Sequence, residues 1–187
     1  FFGAFNDNFF KNALVILIAF QECQLLGLAP KEMVALCAGI SILPFFIFSA
    51  FAGVLADRID KKYIARTVKL VEVGIMLLAT YGFLAHHFAI LLLCLLLMGL
   101  HSAFFGPVKY AILPQHLKSD ELLKANAFVG AGTFIAILLG TVFGGLLISL
   151  GANGLILVCV TMLSISLIGL FSSWYIPSAP SVRSNQS

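Results

Sequence analysis

Six apolar segments, each long enough to cross a lipid bilayer, follow one another along this chain of 187 residues. A membrane-spanning helix needs about 20 mostly apolar residues. The approximate limits of the segments are Phe1 to Leu26, Lys31 to Ala56, Ile64 to Leu84, Phe88 to Leu113, Leu122 to Leu150 and Gly154 to Ile176. The sequence therefore predicts an all-α membrane protein, with a six-helix transmembrane bundle over residues 1–176 and a polar tail or linker over residues 177–187.

The composition supports the same class of protein. The chain is 61% hydrophobic and 10% charged, whereas a soluble domain carries about 25% charged residues. No basic cluster interleaved with aromatic residues suggests nucleic acid as a partner. The four cysteines and four histidines do not have the spacing of metal ligands, so we expect no metal site and no bound cofactor, and membrane lipids as the surroundings.

Lysine and arginine in the short connections predict the orientation, because basic loops stay on the cytoplasmic side of a membrane. The basic residues on one side are Arg58, Lys61, Lys62, Arg66, Lys118, Lys124 and Arg183, and the other side has only Lys31. Both chain ends and both basic loops are therefore expected in the cytoplasm. The chain has no initiating Met, and we expect it to be a piece of a longer protein.

Among the ionisable residues inside the predicted spans, five are singled out: Asp7, Lys11, Lys69, Glu72 and Lys109. A charged side chain at the bilayer centre costs about 2.5–3.5 kcal/mol on insertion scales, and such residues are usually paired and functional. They are therefore the candidate site residues.

The first helix combines charges with amides. Asp7 and Lys11 are four residues apart and share a helix face, with Asn8 and Asn12 on a neighbouring stripe. This face indicates a site for a cation or a lipid headgroup, and the alternative is a local ion pair near a helix end.

The other buried charges have two interpretations each. Lys69 and Glu72, three residues apart, form a structural ion pair or contact the substrate. Lys109 follows a Gly-Pro step and either snorkels to the interface or points its charge at an anionic group. His101 is interpreted as a satisfied polar group.

The fifth helix is rich in glycine. Gly140 and Gly144 have the spacing that lets helix backbones approach closely in lipid, and Gly145, Gly130 and Gly132 lie on the same helix. We expect a packing seam here.

The stretch "GVLADRIDKK" between the second and third helices resembles the G-x-L-a-D-r-x-G-r-k signature of the major facilitator superfamily. The matching residues are Gly53, Leu55, Asp57, Arg58, Lys61 and Lys62, while Asp60 stands where the signature has glycine. The resemblance implies half of a major facilitator transporter fold, with this loop as a cytoplasmic gating latch and a second six-helix half as its partner.

Three further stretches, "GAFNDNFFKNAL", "FGPVKYAILPQ" and "LLKANAFVGAGTFIAILLGTVFGG", resemble the bacterial lysophospholipid transporter family. This resemblance implies lysophospholipid as the substrate, the bacterial inner membrane as the location, and sodium or a proton as the coupling ion. It also implies that Asp7 and Asn8 serve the cation or headgroup and that Lys109 is the family's lysine of the fourth helix.

Two alternatives remain at this point. One is a drug or small-metabolite exporter of the same superfamily, although Gly144 is followed by Gly145 rather than by the proline of the exporter motif. The other is the membrane part of a bifunctional acyltransferase. Such enzymes resemble one another in an H-x4-D motif, and no histidine here has an aspartate at that spacing, so we expect no catalysis in this segment.

Overall fold

The structure is a computed structural model that describes residues 1–20, 27–177 and 179, and only the backbone of Asp57. The regular structure in this part of the chain is helical. Its helices are α1 (Phe2–Phe20), α2 (Pro30–Arg58), α3 (Lys61–Leu84), α4 (Phe88–Ala111), α5 (Leu113–His116), α6 (Leu122–Ile148) and α7 (Ala152–Ser173).

Five of the described helices are long and apolar enough to cross a membrane: α2, α3, α4, α6 and α7. The predicted first span, α1, is not among them, because its charged and amide residues lower its mean hydropathy. It nevertheless packs inside the bundle, where Phe9, Phe10 and Leu14 are fully buried. The fold is therefore an all-α membrane bundle in which the most polar long helix is also a central one.

Local signals fix the limits of the helices. Asp60 caps α3 by accepting a hydrogen bond from the backbone N–H of Lys62 at 2.9 Å, so α3 begins before the predicted Ile64. Pro30 begins α2, a position where its missing N–H costs nothing. Gly151, with φ of 70°, makes the turn between α6 and α7. The predicted end of the first helix, with Cys23, lies outside the described residues.

Small residues bring α1 and α6 into direct backbone contact. A Cβ atom added to Gly140 would collide with the carbonyl oxygen of Phe5, and one added to Gly144 would collide with that of Phe9. Gly145 lies against the side chain of Ile16. In contrast, a Cβ at Gly130 or Gly132 meets nothing within 4 Å. The predicted seam is thus confined to the second half of α6.

The two basic loops and the two described chain ends lie at the same end of the bundle. The backbone N–H of Lys61 donates to the carbonyl of Ala179 at 3.1 Å, and Phe1 and Ile176 line a common cavity. Ile112, after α4, packs in the same apolar cluster as Ile176. The opposite end holds an apolar cavity of about 580 Å³.

Large apolar side chains remain exposed on α2 and α6. Examples are Phe46 and Phe51 on α2, and Phe128 and Phe134 on α6. Such surfaces require lipid or further protein to cover them.

Candidate functional site

Polar side chains of α1 form two groups on different faces of the helix. We call the first the buried cluster; it consists of Asn6, Lys69, Glu72 and His101. We call the second the polar row; it consists of Asp7, Asn8, Lys11 and Asn12 on α1, with Ser102, Lys109, Thr133 and Thr141 on α4 and α6.

The buried cluster is centred on the Glu72 carboxylate, which has no exposed surface. Its Oε2 lies 2.6 Å from Lys69 Nζ and 3.2 Å from His101 Nε2. Its Oε1 accepts a hydrogen bond from Asn6 Nδ2 at 3.1 Å. Asn6 Nδ2 also donates to the carbonyl of Met162 at 3.3 Å. The cluster therefore connects α1, α3, α4 and α7 through one carboxylate.

Glycines and an aromatic ring make room for the Lys69 ammonium. A Cβ at Gly3 would lie 2.8 Å from Lys69 Nζ, and one at Gly169 would lie 3.4 Å from it. The same nitrogen lies 5.1 Å from the centre of the Phe105 ring, a distance typical of a cation–π contact. Lys69 and Glu72 thus form a buried structural ion pair; a role for them in binding substrate stays a prediction.

The polar row is half-buried and faces α4 and α6. Ser102 Oγ donates to Asp7 Oδ2 at 3.1 Å, and Asn12 Nδ2 donates to Thr141 Oγ1 at 3.2 Å. Lys11 Nζ donates to Asn8 Oδ1 at 3.1 Å. In the part of the chain that the structure describes, no ion pair within 4 Å joins Asp7 to Lys11, so their shared face does not amount to a direct pair.

Lys109 extends the polar row toward the end of α4. Its Nζ donates to Thr133 Oγ1 on α6 at 3.3 Å and lies 5.0 Å from the centre of the Tyr110 ring. Among the described residues, Lys11 and Lys109 thus donate to neutral oxygens, whereas Lys69 is neutralised by Glu72. Within this part of the chain, the two lysines of the polar row form no ion pair within 4 Å.

Several residues of the site were not predicted from the sequence. The sequence indicates a satisfied His101, yet among the described residues its buried Nδ1 and Nε2 find no hydrogen bond of good geometry, and neither does Asn6 Oδ1. Asn6 belongs to the polar stretch of α1, which is the signal that marks it. Ser102, Thr133 and Thr141 carry no such signal, because single hydroxyl residues are ordinary in apolar helices.

The predicted gating loop joins α2 to α3. Arg58 is exposed, Lys62 is half-exposed with its ammonium 5.5 Å from the Tyr63 ring centre, and Lys61 is buried. A Cβ at Gly53 would meet nothing within 4 Å. The side chain of Asp57, predicted to act as a latch, lies outside the described residues.

Comparison with known proteins decides the family. The family model described as Major Facilitator Superfamily matches residues 1–187. This chain belongs to the major facilitator superfamily. The superfamily predicted from the α2–α3 loop is confirmed, and membership of a transporter superfamily supports the prediction that this segment is not an enzyme. The gating role of the loop and a fused acyltransferase stay predictions.

Curated members of the superfamily add detail. The chain is 30% identical over 186 residues to a protein named lysophospholipid transporter LplT from Photorhabdus laumondii. It is 28% identical over 190 residues to proteins of the same name from Yersinia pestis and Yersinia pseudotuberculosis. These alignments cover 98–100% of the chain and 42% of each relative. The resemblance to lysophospholipid transporters is thereby confirmed, and the chain spans less than half the length of these relatives.

Proposed function

We propose that this chain is the N-terminal half of a transporter that moves lysophospholipids across the membrane by alternating access, with two helix bundles rocking about a site near the midplane. The observation that carries the proposal is the polar row, two lysines and a carboxylate set in an apolar bundle. A lysophospholipid has a phosphate and a single acyl chain, which require a small charged patch beside a broad apolar path. The names of the similar proteins support the same substrate.

Lys11 and Lys109 are the proposed contacts of the phosphate. Their ammonium groups lie on the half-exposed faces of α1 and α4 and donate to neutral oxygens of Asn8 and Thr133. A phosphate that replaced either neutral acceptor would form a stronger, charge-assisted hydrogen bond. Lys69 is less suited to this role because Glu72 already neutralises it.

Asp7 is the proposed contact of a cation. Ser102 donates a hydrogen bond to its Oδ2; Asn8 is the next residue of the same turn, and Asn12 lies one turn further along α1. The cation is the amine of a headgroup or the coupling ion, sodium or a proton. Lys69 and Glu72 then support the wall of the cavity from the buried cluster.

The remaining parts of the proposal concern the whole protein. A second six-helix half covers the exposed faces of α2 and α6. The loop with Asp57, Arg58, Lys61 and Lys62 gates the cytoplasmic side. The protein lies in a bacterial inner membrane with both ends of this segment in the cytoplasm, as the basic residues at one end of the bundle indicate.

Uptake by spheroplasts tests the proposal. Labelled lysophosphatidylethanolamine is supplied to spheroplasts that express the full-length gene, with and without a sodium gradient. Uptake by Lys109→Gln and Asp7→Asn is expected to fall at least about tenfold, because a hydrogen bond to a charged group contributes about 1.5–3 kcal/mol. Lys109→Arg is expected to retain more uptake than Lys109→Gln.

Lys118→Gln is the matched control, because Lys118 is an exposed lysine of the loop before α6. This variant is expected to take up as much lysophospholipid as the wild type. If the wild type takes up no lysophospholipid, the substrate is wrong and the exporter alternative becomes the leading one. If wild type and Lys109→Gln take it up equally, the polar row does not bind the phosphate.

A further inference from the structure

The chain that follows α7 turns back under the bundle. The guanidinium of Arg66 donates to the carbonyl of Trp174 at 2.9 Å. Ile176 packs against an apolar cluster that contains Ala56, Ile64 and Val108. Residues 174–176 therefore contact the ends of α2, α3 and α4.

Ala179 makes the most specific of these contacts. Its N–H donates to Asp60 Oδ1 at 3.0 Å, and its carbonyl accepts from the N–H of Lys61 at 3.1 Å. The residue is fully buried. Because both the N–H and the carbonyl of Ala179 are hydrogen-bonded to the same loop, the position of this residue relative to the loop is fixed.

Asp60 has two functions in this arrangement. Its Oδ1 accepts from Lys62, which caps α3, and from Ala179. Desolvation acts to raise the pKa of Asp60, but the N–H groups of Lys62 and Ala179 and the charges of Lys62 and Lys61 together hold that pKa below its usual value. The carboxylate is therefore charged at neutral pH and accepts both hydrogen bonds.

The carboxylate of the neighbouring loop at this end of the bundle bonds within its own loop. Glu121 Oε2 accepts from the backbone N–H of Lys118 at 3.1 Å within its own loop. Asp60 differs because one of its donors lies 119 positions away in the chain. Glycine, which the superfamily signature has at this position, offers no side-chain acceptor.

We propose that the α2–α3 loop is the docking site for the chain that leaves α7, and that Asp60 is the residue that holds it there. The chain that leaves α7 is then tied to the gating loop at Ala179. A displacement of Ala179 therefore acts directly on the gating loop. The proposal is independent of the substrate.

Hydrogen exchange measured by mass spectrometry on the full-length protein tests it. The peptide that contains Ala179 is expected to exchange slowly in the wild type and at least about tenfold faster in Asp60→Ala, which removes a charged acceptor. Glu121→Ala, which removes a carboxylate from the neighbouring loop, is expected to leave the Ala179 peptide unchanged.

Ala179→Pro separates docking from capping. It removes the donor at position 179 and leaves Asp60 and its bond to Lys62 in place. If the segment then leaves the loop, the Lys61 N–H loses the carbonyl of Ala179, so we expect its amide to exchange faster in this variant. If Asp60 served only to cap α3, Ala179→Pro would not change the exchange of the Lys61 amide. Rapid exchange of the Ala179 peptide in the wild type, or an unchanged Lys61 amide in Ala179→Pro, overturns the proposal. The hydrogen-exchange experiment contains no substrate, so its result does not depend on whether the protein transports lysophospholipid.

Discussion

At the scale of single residues, two pairs of adjacent residues, Asn6 with Asp7 and His101 with Ser102, each contribute one side chain to the buried cluster and one to the polar row. Successive helical residues differ in direction by about 100°, so Asn6 contacts Glu72 while Asp7 contacts Ser102. Ser102 itself follows His101, which lies against Glu72. The buried cluster and the polar row are therefore joined by peptide bonds on both α1 and α4, and a shift of one displaces the other.

Replacing Glu72 tests the stability of the buried cluster. Glu72→Gln leaves the Lys69 ammonium buried without its counter-charge, and breaking a buried pair in this way costs about 3–5 kcal/mol. The midpoint of thermal unfolding of the full-length protein in detergent is expected to fall markedly. The double variant Lys69→Met with Glu72→Leu removes both charges and is expected to be closer to the wild type. Equal midpoints for the single and the double variant would show that the unpaired charge on Lys69 does not cause the loss of stability.

The sequence predicts the charged members of the site because charge in an apolar span is costly and therefore noticeable. It does not predict their partners. The bond between Asn6 and Glu72 joins residues 66 positions apart, and helical period alone does not say which helix faces meet. For the same reason the spacing of Asp7 and Lys11 predicts a common face but not the choice of Ser102 and Asn8 as partners.

At the scale of helices, the backbones of α1 and α6 meet at two glycines one turn apart, Gly140 and Gly144. Helix limits follow from the sequence because membrane thickness sets segment length; α4 begins at the predicted Phe88 and α6 at the predicted Leu122. The four-residue helix α5 was missed, since so short a segment shows no hydrophobic period. The sequence analysis notes that Asp60 departs from the glycine of the signature but does not predict its role as the cap of α3.

Alanine substitutions on α6 test the seam. Gly140→Ala places a methyl group against the Phe5 carbonyl, and overpacking of this kind costs about 1–3 kcal/mol. Gly132→Ala, on the same helix, has open space and is expected to leave the thermal midpoint equal or slightly raised. The comparison uses the thermal midpoint of the full-length protein. Equal effects of the two substitutions would contradict a close α1–α6 contact.

At the scale of the whole molecule, the charge pattern and the structure agree on which loops share an end of the bundle. The sequence predicts this from loop charge and from an even number of spans, and the contacts of Lys61 with Ala179 and of Arg66 with Trp174 confirm it. How this segment would meet the proposed second half is not encoded in any local pattern. The exposed faces of α2 and α6 only mark where contact is available.

Cysteine labelling tests the orientation. In a background without other reactive cysteines, Lys31→Cys is expected to react with a membrane-impermeant maleimide in intact cells. Lys118→Cys, at the opposite end of the bundle, is expected to react only in inverted vesicles, because basic loops remain cytoplasmic. Both positions are exposed, so reactivity reports the side of the membrane. The reverse pattern would invert the proposed orientation.

The glycine seam also has a consequence for binding energetics. Because the backbones of α1 and α6 touch at Gly140 and Gly144, Asn12 and Thr141 keep their distance whether or not a ligand is present. In the proposed transporter, this part of the site is preorganised, so a ligand would not lose affinity by ordering it. This segment would then offer the charged group the same contacts throughout the proposed transport cycle.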